Sequence, residues 1–121
     1  MKKIQTKLIL VYGSLRQGAY NHNRFKSIYK EDYDFKRSLE LNNYNLYSLG
    51  SYPGIKDGKN SLKVELFECS EFCYNNIKAM ELGAGYSERI IALDEGNAVI
   101  YMYEGRVSED RIVESGDWIK K

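Results

Sequence analysis

Residues 7–12 constrain the fold more than any other stretch. Leu8, Ile9, Leu10, Val11 and Tyr12 form an apolar run that ends abruptly at Gly13 and is followed by Ser14, Leu15, Arg16, Gln17 and Gly18. An apolar run of that length, closed by glycine, predicts a buried strand over 7–12 that leads into a loop. A glycine there lets the loop backbone approach a ligand closely. Successive main-chain N–H groups at such a bend converge and carry partial positive charge, so the loop is a candidate anion cradle as well as an ordinary turn.

The remaining pattern is that of a single mixed α/β unit spanning 1–121, without repeats or linkers. A short helix is predicted over 22–29, with Asn21 as its cap and His22 at the surface. Residues 34–41 and 44–49 alternate polar and apolar, and Asn42-Asn43 between them marks a hairpin or a bulge. Pro53, the only proline, holds Tyr52 extended after Gly50 breaks the pattern. Residues 56–61 are polar, contain Gly58 and are expected to be a mobile loop. Leu62, Val64 and Leu66 share one face of the next strand, with Lys63, Glu65 and Phe67 on the other. Ser70 is placed to cap a helix over 71–82, whose apolar stripe is Cys73, Ile77 and Met80. Strands follow over 86–93 and 98–103, with a turn at 94–97 and a possible last short strand at Ile112-Val113. Trp118 is expected to pack over the domain and anchor the tail.

Composition narrows the function classes. Eighteen basic against 17 acidic residues leave a net charge of +1, which offers no electrostatic footprint for nucleic acid. The apolar run at 8–12 is too short for an export signal or a membrane span, so a cytoplasmic protein without membrane contact is expected. Cys69 and Cys73, four apart, suit neither an unstrained bridge nor, with His22, a metal site; both are expected to be reduced, with Cys73 in the core. No metal or cofactor is expected.

Glu81 stands out on physical grounds. It lies four residues after Ile77, beside the buried stripe and near the helix C-terminus. A solvated glutamate on a helix edge is the plainer reading, but partial desolvation and the negative end of the helix dipole would both raise its pKa. Glycines 83 and 85 are expected to end that helix. Ser14 invites comparison with a hydrolase elbow, yet Tyr12 and Arg16 occupy the positions where that motif needs glycine. No Gly-Lys-Ser/Thr follows for a phosphate-binding loop.

Three separated features, Tyr12-Gly13-Ser14-Leu15-Arg16 with Gly18 and Asn21-His22, then Met80-Glu81 with Tyr86 and Arg89, then Tyr101 before Gly116-Asp117-Trp118, resemble in order the γ-glutamylcyclotransferase-like (AIG2-like) family. Tyr52-Pro53-Gly54-Ile55 is also similar to a family segment. The resemblance covers roughly 7–118; the short Leu82–Gly85 link departs from larger members. It implies an α+β fold, a small mixed β-barrel with flanking helices and a cavity beside the first loop. It also implies a reaction, the release of 5-oxoproline when a γ-glutamyl substrate's own α-amine attacks its γ-carbonyl. In that scheme Glu81 is the general base and acid. The main chain of Gly13, Ser14 and Leu15 holds the α-carboxylate, and Tyr12 and Tyr86 line the cavity. Tyr101 hydrogen-bonds the substrate or orients Glu81. The partner is then a small γ-glutamyl molecule, with an open site favouring γ-glutamylamines over glutathione. A non-catalytic metabolite-binding protein on the same scaffold is the alternative. Oligomeric state is not readable.

Overall fold

A computed structural model describes residues 6–17, 22 and 33–119. The strands are β1 (Thr6–Val11), β2 (Tyr33–Ser48), β3 (Pro53–Ser70), β4 (Tyr86–Leu93) and β5 (Gly96–Tyr103), with helix α1 (Glu71–Gly83) between β3 and β4. They form one mixed sheet in the order β2-β3-β1-β5-β4. All neighbours are antiparallel except β1 and β5, which run parallel through Leu8–Ala98 and Ile9–Val99. The sheet curls into an open half-barrel.

Both faces of β1 are buried, as its unbroken apolar sequence requires. Ile9 and Val11 point to a core shared with Phe67, Cys73 and Ile77, the side that α1 covers. Leu10 and Tyr12 point to a second core with Leu46, Ile55, Leu66 and Ile100, inside the curl of the sheet. Trp118 belongs to this second core and is buried, so the tail is anchored as expected. In β5, Tyr101 and Tyr103 face the helix side, and Ile100 and Met102 face the curl. Cys69 and Cys73 are both buried in the core and form no disulfide with each other.

Ser70 caps α1: its Oγ accepts from the Cys73 N–H at 3.1 Å. Replacing it orphans a donor at the helix start, so Ser70→Ala should cost about 1 kcal/mol in urea denaturation. An unchanged unfolding midpoint would remove the cap from this account. The helix ends at Gly83, and Gly85, at φ +95°, turns the chain directly into β4.

Several elements differ from expectation. Residues 34–41 and 44–49 are not two strands but one 16-residue strand, in which Asn42-Asn43 is the bulge rather than the hairpin of the two readings, and Asn43 takes φ +74°. Residues 56–61 are not a loop but part of β3. Their ladder partners run from Asn45 to Asn42, and Asn45 Oδ1 accepts the N–H groups of Lys59 and Asn60 at 3.2 and 3.4 Å. Polar side chains are tolerated in this middle stretch of the hairpin because it is only half-buried to exposed, and residues 58–60 bulge opposite Asn43. Ile112 makes only an isolated bridge to Tyr47, with the Val113 N–H donating to Leu46 O at 2.7 Å, so no last strand forms. Met80 is largely exposed; Tyr74 takes its place beside Cys73 and Ile77. His22 is half-buried rather than on the surface, its ring 5.7 Å from that of Phe67. The rest of the expected 22–29 helix lies outside the described residues.

Candidate active site

A cavity of about 300 Å³ opens where β1 ends. Gly13, Ser14 and Leu15 form one wall, as a turn closed by the Arg16 N–H donating to Gly13 O at 3.0 Å. Tyr12, Tyr86 and Tyr101 form the next, supplied by the ends of β1, β4 and β5. Ile77, Met80 and Glu81 close it from α1, and Tyr52 and Pro53 from the turn between β2 and β3. All seven residues singled out from the sequence therefore border one cavity. Gly13 is needed by proximity: a Cβ there would stand 2.8 Å from Pro53 Cγ. Among the described residues no acceptor takes the Leu15 N–H, leaving a main-chain donor for a ligand at the turn.

The tyrosines are committed. Tyr12 donates to Tyr101 O at 2.6 Å and Tyr86 donates to Pro53 O at 2.5 Å. Tyr101 donates to Glu88 Oε2 at 2.9 Å, and Tyr74 from α1 donates to the same oxygen. Tyr101 was expected to hydrogen-bond the substrate or orient Glu81; its hydroxyl proton goes to Glu88, and among the described residues no hydrogen bond joins it to Glu81. Burial pushes all three cavity phenols further above neutrality, so they stay un-ionised and offer lone pairs to a ligand.

Glu81 differs from its neighbours. Burial alone pushes its carboxyl up to about 7, and among the described residues its side chain has no hydrogen-bond partner. No basic residue occupies the last turn of α1 to hold it ionised. It is the cavity's one group, among the described lining residues, that exchanges a proton near neutral pH. Arg89, noted in the sequence, lies apart from the cavity lining and pairs with Asp57 at 2.6 Å. Among the described residues, no three His, Cys, Asp or Glu side chains gather to hold a metal ion, and no helix is long and apolar enough to cross a membrane.

The sequence profile of the family described as Gamma-glutamyl cyclotransferase, AIG2-like matches residues 9–120. The chain belongs to this family. The γ-glutamylcyclotransferase family protein YtfP of Escherichia coli K12 is 31% identical over 114 residues, covering 93% of this chain and 96% of YtfP. The solution structure of E. coli YtfP superposes with a TM-score of 0.74 at 30% identity, covering 93% of this chain and 96% of that one. A Pyrococcus horikoshii crystal structure superposes with a TM-score of 0.78 at 27% identity, covering 94% and 91%. The small mixed β-barrel implied by the resemblance is thus realised as a curled five-stranded half-barrel with one helix among the described residues, the fold of its structural neighbours.

Three polar groups around this AIG2-like cavity were given no role from the sequence, although Asp117 stands in the tail motif. Glu88 was passed over as one polar position of a strand, although it gathers Tyr74 and Tyr101, with Lys78 Nζ 3.7 Å from its Oε1. Glu65 and Asp117 both bind Arg16, behind the turn. The only available signal for Glu65 was a charge on the same strand face as Phe67, a position that must be buried.

Proposed function

We propose that the protein is a γ-glutamyl cyclotransferase that converts a γ-glutamyl compound to 5-oxoproline and a free amine or amino acid. The observation carrying this reading is the placement of Glu81, poised near neutrality, across one cavity from the Gly13–Leu15 turn. The main-chain N–H groups of that turn would hold the substrate α-carboxylate. Glu81 would take a proton from the α-ammonium. The freed nitrogen then attacks the γ-carbonyl carbon, closing the lactam. The bond from that carbon to the leaving nitrogen breaks as Glu81 returns the proton to it. The regenerated Glu81 carboxylate takes the second proton from the ring nitrogen and passes it to the released amine or solvent, leaving a neutral lactam. The nucleophile comes with the substrate, so the protein supplies folding of the chain for ring closure and one proton carrier. Tyr101, its proton committed to Glu88, would accept from the ammonium or the leaving N–H.

The purified protein should release 5-oxoproline with an equal amount of free amine from at least one member of a panel of γ-glutamylamines, γ-glutamyl amino acids and glutathione, read by mass spectrometry. γ-Glutamylamines should lead the panel. A folded protein that retains ligand unchanged across the panel would contradict catalysis and favour a binding role.

A further inference from the structure

Behind the cavity turn lies a charged cluster that the proposed chemistry does not use. Glu65, in the middle of β3, is 5% exposed, and most of its buried neighbours are apolar. Its Oε1 accepts the Gln17 main-chain N–H at 2.7 Å, and its Oε2 accepts from Arg16 Nε at 3.1 Å. Arg16 Nη1 reaches on to Asp117 Oδ1 at 2.8 Å, and that oxygen also accepts the Ile119 N–H at 3.1 Å. The Arg16 guanidinium, about one-tenth exposed, is therefore held between two carboxylates of its own chain. Arg16 does not line the cavity, whereas the residues just before it do.

This arrangement separates two roles that a single arginine beside an anion site would combine. Arg16 has its charge answered internally and is not presented to a ligand. What faces the ligand is the preceding main chain, whose N–H groups bind an anion only if the turn is held in one shape. The turn has one internal bond, Arg16 N–H to Gly13 O. Tyr33 of β2 holds its middle, the hydroxyl donating to Leu15 O at 2.9 Å, and Glu65 ties its far end to the sheet through a main-chain and a side-chain donor together. A buried carboxylate in an otherwise apolar strand costs desolvation unless its partners repay it, and hydrogen bonds to a charged group are the stronger kind.

We infer that Glu65 is a positioning residue for carboxylate binding: it fixes the 13–17 turn so that the Gly13–Leu15 main chain takes the α-carboxylate. The inference rests on the cyclotransferase reading. Glu65 touches no substrate; it acts through Arg16 and Gln17. Its removal should therefore weaken ligands in proportion to their use of the cradle.

The test compares two ligands that differ only at the α-position, 5-oxoproline and its carboxamide, with wild type, Glu65→Gln and Glu65→Ala, by NMR titration. Glutamine keeps an acceptor for one of the two donors, and alanine keeps none. The dissociation constant of 5-oxoproline should rise about 10-fold in Glu65→Gln and further in Glu65→Ala, since charge-assisted hydrogen bonds are the stronger ones lost. That of the carboxamide should change less than about 3-fold, because it brings no charge to the cradle. Glu65→Gln alone decides the matter if Glu65→Ala does not fold, with thermal unfolding run on each. Equal weakening of both ligands would assign Glu65 to general stability, and no weakening of either would remove its role; either result overturns the inference. Wild-type protein that binds neither ligand and releases no 5-oxoproline overturns the cyclotransferase reading and this inference with it. Turnover by wild type with Glu65 variants of undiminished carboxylate affinity overturns the inference alone.

Discussion

Glu81→Gln should lose roughly 10²–10⁴-fold in the rate of 5-oxoproline release while folding to a protein more stable than wild type above neutral pH. The two effects have one cause. Glutamine keeps the shape and polarity of the side chain at the cavity but carries no exchangeable proton, so the ammonium is not deprotonated and the leaving nitrogen is not protonated. The stability effect follows from the raised pKa. In the unfolded chain the carboxyl ionises near 4.5, and in the fold near 7. Between those values the folded state binds more protons than the unfolded state. Stability therefore falls as pH rises through that window, and the whole cost of the buried charge is present above about pH 7. At pH 5 the folded carboxyl is protonated, and little separates the two proteins. At pH 8 the variant should be the more stable by about 2 kcal/mol, allowing for the partial exposure of the side chain. Urea denaturation at the two pH values checks this, and activity lost without that pH-dependent gain would mean that Glu81 is not desolvated as described. In the wild type, kcat/KM should climb with pH along a limb near 7, where Glu81 becomes the base.

Gly116→Ala should be the most damaging small substitution outside the cavity. Gly116 is buried at φ +69°, a conformation that alanine adopts only with strain. A Cβ there would lie 1.9 Å from the Ser61 carbonyl oxygen, a clash with backbone that no rotamer relieves. The contact is fixed from both sides, because Gly116 O accepts the Lys63 N–H at 2.8 Å and the Gly116 N–H donates to Val113 O at 3.0 Å. A loss of about 3–4 kcal/mol is expected, seen as a fall in Tm of at least about 10 °C. The displaced tail carries Asp117, which binds Arg16, and Trp118, which fills the second core. Carboxylate binding at the 13–17 turn should weaken alongside stability. A Tm within 3 °C of wild type would show that the tail moves aside at little cost.

What could be read from the sequence was local. The strand ending at Gly13, the Ser70 cap and the placement of Glu81 beside Ile77 follow from periodicity and capping chemistry within a dozen residues. The sequence pattern divides the long β2–β3 hairpin because its middle stretch, 56–61, is polar on both faces. Its order comes from ladder bonds and from Asn45 on the opposite strand, which composition does not report. Asn43 looked like a turn residue because a bulge and a turn use the same left-handed backbone. In the cavity, residue identities were readable but their hydrogen bonds were not. Glu88 accepts from Tyr101 on the adjacent strand and from Tyr74 on the helix, and Glu65 meets Arg16 from 49 positions away. Such contacts are set by strand order, and a parallel β1–β5 pair flanked by antiparallel neighbours is not encoded in any one segment.

The most direct test of the central claim is the fate of solvent oxygen. The wild-type protein, incubated with its best γ-glutamyl substrate in ¹⁸O-labelled water, should yield 5-oxoproline with no label, because the attacking atom is the substrate's own nitrogen and no water is consumed. Glu81→Gln should yield essentially none. Labelled glutamate as the enzyme-dependent product would mean that water attacks the γ-carbonyl, and the account of Glu81 and the cavity turn as a machine for ring closure would be wrong.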